Sequence, residues 1–224
     1  IEFMGACRSV TGSQHVITVN DKKILLDCGL YQGRREDMEH INRNFPFDPR
    51  SIDALVVSHG HIDHSGNTPN LVKQGFSGKI FSTQATAKML VPMLLDSAKI
   101  QTHDVEYLNK KLYKSKDVLK PIYTVMDAEA VFPHLKPYPY HQWFEVIPGI
   151  KCYFYEAGHI LGSAIPVLHI TDGGSTIRLA YTGDLGRKYL PILRDPEQIK
   201  DIDYLISEST YGDRLHNDVR SSYD

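Results

Sequence analysis

Apolar residues in this chain gather into short runs separated by polar, glycine-containing turns, and the period of those runs changes along its length. Ile1–Met4, His15–Val19 and Lys23–Leu26 predict three strands. The loop from Gly5 to Ser13 and the Asn20-Asp21 turn join them into an antiparallel meander. Arg34 to Asn44 is charged and predicts a surface cover. Ile52–Ser58 contains the unbroken run Ala54-Leu55-Val56-Val57, the pattern of a buried strand. A short helix over Asn67–Gln74, closed by Gly75, and a strand over Lys79–Ser82 follow. From Thr83 or Gln84 the stripe Met89, Leu90, Met93, Leu94, Ile100 predicts a core helix kinked at Pro92, and Asp104–Lys114 a second, charged amphipathic helix. Asp127–Leu135 predicts a short helix capped by its Asp. Pro133, Pro137 and Pro139 punctuate the next stretch, and strands return at Phe144–Ile147, Lys151–Tyr155, Ser163–Ile170 and Ile177–Thr182. Gly173-Gly174 turns the last two into a hairpin, and Tyr204–Ser207 is the final strand.

The pattern breaks most sharply after Val57, where Ser58-His59-Gly60-His61-Ile62-Asp63-His64 puts three imidazoles and a carboxylate on the loop leaving a strand. α/β sheets usually carry their chemistry at that end. His59 and His61 are two apart, so an extended backbone points both to one side, with Gly60 adding no bulk between them. Asp63 and His64 are adjacent and reach a common point only if the chain turns; they suit a second ion better than the first. Two later strand exits add Gly158-His159 and Gly183-Asp184. His59, His61 and His159 then supply three nitrogens with a fourth position left open for water, the arrangement of a catalytic zinc. Asp63, His64 and Asp184 form a harder, more anionic second site, and Asp184 is placed to bridge the two. Two such ions share a water and lower its pKa toward neutrality, which is hydrolase chemistry. Asp27, at a strand end, reads locally as a turn-forming residue.

The H-x-H-x-D-H stretch with its downstream G-H and G-D resembles the metallo-β-lactamase superfamily. The segments Phe3-Met4-Gly5-Ala6, Val10-Thr11-Gly12-Ser13, Leu26-Asp27-Cys28-Gly29, Ala157–Ser163 and Tyr181-Thr182-Gly183-Asp184 resemble its β-CASP branch of RNA- and DNA-processing nucleases. Glu208-Ser209-Thr210-Tyr211-Gly212 matches the motif that opens the β-CASP region in that branch. The resemblance implies an α+β fold, an αβ/βα sandwich of two mixed sheets flanked by helices. Residues 1–207 would form the metallo-β-lactamase part and 208–224 the start of a truncated β-CASP domain. It implies two zinc ions on the six ligands above, with Asp27 orienting a ligand histidine and Asp63, Asp184 and Glu208 in catalysis. It also implies an RNA phosphodiesterase, in which hydroxide held between the metals attacks phosphorus. A further ligand histidine, and a β-CASP histidine that protonates the leaving oxygen, match no residue here; His216 fits neither position. Weak occupancy of the second metal is therefore expected in this chain. A small-substrate hydrolase of lactams, thioesters or lactones shares the H-x-H-x-D-H core, and a scaffold without catalysis is the alternative from another class.

Composition adjusts this only slightly. The 224 residues suffice for one sizeable core, and 42% hydrophobic and 23% charged residues are ordinary for a globular protein. A net charge of −2 gives no global basic field for nucleic acid, and Lys110, Lys111, Lys114, Lys116 and Lys120 read as a solvated face. Cys7, Cys28 and Cys152, odd in number and without C-x-x-C spacing, read as buried reduced thiols of a cytoplasmic protein. No apolar run approaches a membrane span. The expected partners are RNA and, as an assembly, a homodimer. His15, His40, His103, His134, His141 and His169 lie outside any motif and read as surface or structural.

Overall fold

The computed structural model describes residues 1–111 and 118–215. β1 (Glu2–Gly5), β2 (Gln14–Val19) and β3 (Lys22–Leu26) form the expected meander. Asn20 and Asp21 both take positive φ at its second turn, the twist a two-residue hairpin requires. The charged stretch folds as α1 (Arg35–Arg43), after which β4 (Ala54–Val56) pairs parallel with β3. One turn of helix, α2 (Ile62–Ser65), and α3 (Thr68–Lys73) lead to β5 (Lys79–Thr83), again parallel.

Two expected helices are one: α4 runs from Gln84 to Lys111 with Pro92 inside it. Neither glycine nor proline interrupts Ile100–Asp104, and the Thr102 hydroxyl bonds back to the Ala98 carbonyl, so nothing there stops the helix. The expected end at Lys114, and Lys116 of the basic run, lie outside the described residues. In α5 (Val125–Glu129) the cap is Thr124, and Asp127 sits three residues on as its reciprocal partner in a capping box. Thr124 Oγ1 accepts from the Asp127 backbone while Asp127 accepts from Thr124 N. β6 (Leu135–Tyr138) is an unexpected strand. Its Pro137 is tolerated because β6 is the outermost strand of its sheet, where one face of the ladder needs no donor.

The first sheet, β1-β2-β3-β4-β5-β6, is mixed. The second is mixed too, in the order β11-β10-β9-β8-β7. It comprises β7 (Phe144–Ile147), β8 (Ile150–Glu156), β9 (Ala164–Asp172), β10 (Ser175–Tyr181) and β11 (Tyr204–Ile206), the last parallel to β10. Alternation assigns the two faces of the first sheet. Ile24, Leu26, Ala54 and Val56 point at Phe154, Leu168 and Leu179 of the second sheet. Leu25, Leu55 and Val57 point the other way, under Leu71, Leu90, Leu94 and Ala128 of α3, α4 and α5. Burial on both faces is the reason residues 54–57 read as a continuous apolar run. The outcome is the expected two-sheet α+β sandwich, and strands β3, β4, β8 and β10 all end at one edge of it. Ala164 N donates to Ser58 O at 2.9 Å and ties the two sheets together there.

Candidate metal centre

Each predicted ligand is carried by one of those strand exits. His59 lies three residues past the end of β4 and is fully buried; His61 is held extended as the residue before α2. The single turn of α2 is the turn that Asp63 and His64 require, closed by Ser65 N and Gly66 N donating to His61 O and Ile62 O. It is laced to the end of β3, where Cys28 N donates to His64 O at 2.8 Å and Leu30 N to Ile62 O at 3.0 Å. A Cβ on Gly29 would sit 1.6 Å from the Asp63 carbonyl oxygen, so only glycine admits this approach. Gly60 is different: a Cβ there would meet only Met89, at an ordinary 3.5 Å, so its tight path does not depend on glycine. His159 is set by Ser163, whose hydroxyl accepts from its backbone N–H at 3.0 Å. Asp184 follows Gly183, whose φ of 52° and closeness to Ser58 Oγ exclude a side chain.

The ligand atoms converge. His61 Nδ1 lies 3.1 Å from His59 Nε2 and 3.1 Å from His159 Nε2. One ring proton could bridge at most one of these contacts. Three nitrogens at such spacing match the edges, about 3.3 Å, of a tetrahedron around a zinc-like ion. Asp184 Oδ2 completes the group at 3.4 Å from His159 Nε2 and 3.7 Å from His59 Nε2. Its other oxygen, Oδ1, lies 3.1 Å from His64 Nε2, and Asp63 Oδ2 lies 3.9 Å from that same nitrogen. Asp184 thus spans two donor sets, His59/His61/His159 and Asp63/His64.

The ring protons can be assigned. Asp27, wholly buried, accepts from Ser58 N at Oδ1, and from Ser58 Oγ, His64 Nδ1 and Tyr181 Oη at Oδ2, each at 2.7 Å. His64 therefore carries a proton on Nδ1. Ser58, having given its proton to Asp27, must accept at 3.0 Å from His59 Nδ1, so His59 Nε2 is a bare lone pair facing the donor cluster. Asp27, His59 and His64 also lie close enough to suggest an ion among them. The 2.7 Å Asp27–His64 contact is instead a hydrogen bond that uses both atoms and holds the His64 ring against Asp27. Asp27 adopts φ 56° at the end of β3, a strained left-handed setting that turns its carboxylate inward.

The electrostatics follow. Burial, with His64 alongside, lowers His59 to about 3, so it stays neutral and able to bind a cation. Burial likewise lowers His159. Burial opposes charge on His64, yet hydrogen bonds to Asp184 and Asp27 override it and raise that histidine to about 10. Asp27 and Asp184 are held below the usual carboxylate range: burial works against this, and the bond to His64 outweighs it in both.

Glu208 lies beyond the donor cluster. Its Oε1 accepts from Leu185 N at 2.8 Å and so pins the backbone next to Asp184. A cavity of about 730 Å³ opens beside the cluster, lined by His64, Asp184, Glu208, Arg8 and Arg214 among others. Sequence reading missed Ser58 and Tyr181, and it placed His15 among the histidines without a site. His15 is 6% exposed and lines this cavity, reached from Asp27 through Tyr181 and Ser13. Adjacency to His59 was the only local signal for Ser58; for Tyr181 and His15 there was none. His134 and His141 are structural as expected, bonding to Gly78 O and Glu197. Cys28 and Cys152 are buried thiols, but Cys7 is exposed on the loop after β1. No described helix is long and apolar enough to cross a membrane.

Comparison with known proteins supplies a wider frame. A sequence profile for the metallo-beta-lactamase superfamily matches residues 10–222. The chain is 34% identical over 97% of its length to Ribonuclease TTHA0252 of Thermus thermophilus, covering 45% of that protein. It is 34% identical over 95% to Transcription termination factor FttA of Methanosarcina mazei, covering 31%. It is 32% identical over 96% to Cleavage and polyadenylation specificity factor 73 of Drosophila melanogaster, covering 29%. The chain thus spans less than half the length of these relatives. Among solved structures, a motif mutant of a Cronobacter sakazakii metallo-beta-lactamase superposes with TM-score 0.51 at 16% identity, over 85% of this chain and 62% of that one. That likeness concerns the fold.

Proposed function

The chain belongs to the metallo-beta-lactamase superfamily, and on that premise we propose that it is the metal-binding part of a β-CASP nuclease that hydrolyses RNA. The observation that carries this reading is the split donor cluster, with Asp184 reaching His159 and His59 through one oxygen and His64 through the other. The donor set of imidazoles and carboxylates suits zinc. His59, His61 and His159 would hold one ion, and Asp63 and His64 the other, with Asp184 shared. Bound there, such ions acidify water and neutralise charge on a phosphodiester. In the reaction a water oxygen bonds to phosphorus, the bond to the departing sugar oxygen breaks, and that oxygen takes a proton. The single proton the water gives up would pass to one of the two carboxylates flanking His64 Nε2, Asp63 or Asp184. Glu208 keeps Asp184 aimed by holding Leu185 N. The leaving-oxygen proton is assigned, by family resemblance, to a histidine of the β-CASP part.

RNA is favoured over a small substrate by three supports. Relatives' names include a ribonuclease, a transcription termination factor and a cleavage and polyadenylation factor. The Glu208–Gly212 segment matches the β-CASP opening motif. Arg8, without an ion pair among the described residues, and Arg214 line the cavity where a phosphate backbone would lie. In this reading residues 1–207 are the metallo-β-lactamase part and 208–224 begin the β-CASP domain; the protein is cytoplasmic, with a homodimer as its assembly. The test is cleavage of end-labelled RNA, with a chromogenic lactam as the rival substrate. His59→Ala and Asp184→Asn are each expected to lose on the order of a thousandfold in RNA cleavage. RNA cleavage unaffected by either change, or turnover of the lactam alone, would overturn the proposal.

A further inference from the structure

Behind the donor cluster runs a chain of hydrogen bonds that no ligand assignment uses. Tyr181 Oη donates to Asp27 Oδ2 at 2.7 Å, Ser13 Oγ lies 2.8 Å from Tyr181 Oη, and His15 Nε2 lies 3.3 Å from Ser13 Oγ. All four residues are buried. The Asp27 carboxylate can only accept, and this fixes the direction of every link. Tyr181 has one hydroxyl proton and gives it to Asp27, so it must accept from Ser13. Ser13 has given its own proton away and must accept from His15, which therefore carries its ring proton on Nε2. Its Nδ1 is then a bare acceptor, and that atom is buried without a partner.

The rings hold the chain in place. His15 packs edge-on against Tyr181 at 5.5 Å and against Phe3 at 5.3 Å. Ser13 is anchored through its backbone, which donates to Asp63 O at 2.9 Å and accepts from Gly29 N at 3.0 Å. The same serine therefore touches the Asp63 turn through its main chain and, by way of Tyr181, reaches the Asp27–His64 pair through its side chain. Tyr181 sits two residues before Gly183 and three before Asp184, on the strand that delivers that ligand.

We propose that Tyr181, Ser13 and His15 are positioning residues which fix the Asp27 carboxylate, and through it the His64 ring, for the second metal ion. This rests on the two-ion reading above. Oδ2 of Asp27 takes three donors, and without the tyrosine hydroxyl it is free to rotate toward the remaining two. The His64 ring, whose Nδ1 has no other acceptor, would rotate with it and carry Nε2 away from Asp184 and Asp63. Of the first ion's histidines, His59 is tied to Asp27 only at one remove, through Ser58, whereas His64 bonds Asp27 directly, so the first ion feels the change less than the second.

The test is a Co²⁺ titration of the whole protein, followed by visible absorbance, with each ion's affinity read separately. Partners that orient a metal-bound histidine typically contribute about 10–100-fold in metal affinity. Tyr181→Phe keeps the ring and removes only the hydroxyl. It is expected to weaken the second ion about tenfold and the first by a distinctly smaller factor. Ser13→Ala, which leaves the ring packing alone, is expected to weaken the second ion by a smaller factor. In an Asp27→Asn background Tyr181→Phe should add no further loss. Second-ion affinity unchanged in Tyr181→Phe, or unchanged in Ser13→Ala should the first variant not fold, would overturn the relay alone. So would equal weakening of both ions, or a full additional loss in the Asp27→Asn background. A wild-type protein that takes up no second ion would overturn the relay and the two-ion reading together.

Discussion

His64 lies between two carboxylates, 2.7 Å from Asp27 and 3.1 Å from Asp184, and this pair of contacts sets the pH behaviour of the centre. Burial alone would lower it; the carboxylates raise it from the ordinary 6.5 to about 10. A histidine raised in the folded state stabilises that state fully below its unfolded value and loses the contribution as pH climbs through the folded one. Metal-free protein should therefore melt at steadily lower temperature from pH 6.5 toward pH 10, and thermal scans in chelator should show that slope flattened in His64→Gln. Metal binding runs the opposite way. An ion on His64 Nε2 must displace that proton, so its affinity should rise about tenfold per pH unit across the neutral range. His59, lowered to about 3, has no proton to lose there, and the first ion should show a shallower dependence from this residue. Equal slopes for the two ions in calorimetric titrations would contradict the assignment. Two glycines give a second contrast. Gly29→Ala forces a Cβ onto the Asp63 carbonyl and should cost about 1–3 kcal/mol or more by overpacking, whereas Gly60→Ala should fold and bind metal almost as before.

The donors sit just past the ends of strands, with Asp63 and His64 on the single turn of α2 that follows β4. Leu55 is fully buried in the centre of β4, between β3 and β5, on the face beneath α4. Leu55→Ala should destabilise the fold by about 2–5 kcal/mol in denaturant unfolding, yet leave metal stoichiometry intact below the transition, since His59 is anchored separately by Ser58. The same separation explains what could be read without coordinates. Runs such as Ala54–Val57 and the turns Asn20-Asp21 and Gly173-Gly174 declare themselves locally, so the meander, the hairpin and the gathering of histidines and carboxylates at strand exits were all legible. The strand β6 was not, because Pro137 argues against a strand unless the strand is known to be an edge. The join of two helices into α4 was missed because charge in Asp104–Lys111 resembles a new amphipathic start. Ser13, Tyr181 and His15 were missed for a deeper reason. Tyr181 is 154 positions from Asp27 and meets it only because the two sheets stack, and Ser13 and His15, although at or just before the start of the strand next to β3, reach Asp27 only through that tyrosine.

At the scale of the whole molecule, the two donor sets are unequal. The first has three imidazoles and one oxygen of Asp184 within 3.1–3.7 Å of one another along the measured contacts. The second has His64, the other Asp184 oxygen and Asp63, the last still 3.9 Å from His64 Nε2. It also begins from a protonated histidine, so binding must first displace a proton. Three protein ligands with one of them shared favour the first set strongly. The 224-residue chain should therefore retain one tightly held zinc after dialysis and take up a second only at much higher free metal, as elemental analysis across a buffered zinc series would show. That first ion should also stabilise the fold by mass action, by about 4 kcal/mol when free zinc is a thousandfold above its dissociation constant, with the rise in melting temperature abolished by His59→Ala. Two ions retained with equal tenacity would mean that Asp63 closes on His64 further than the 3.9 Å seen here, and that the asymmetry between the half-sites belongs to the metal-free fold alone.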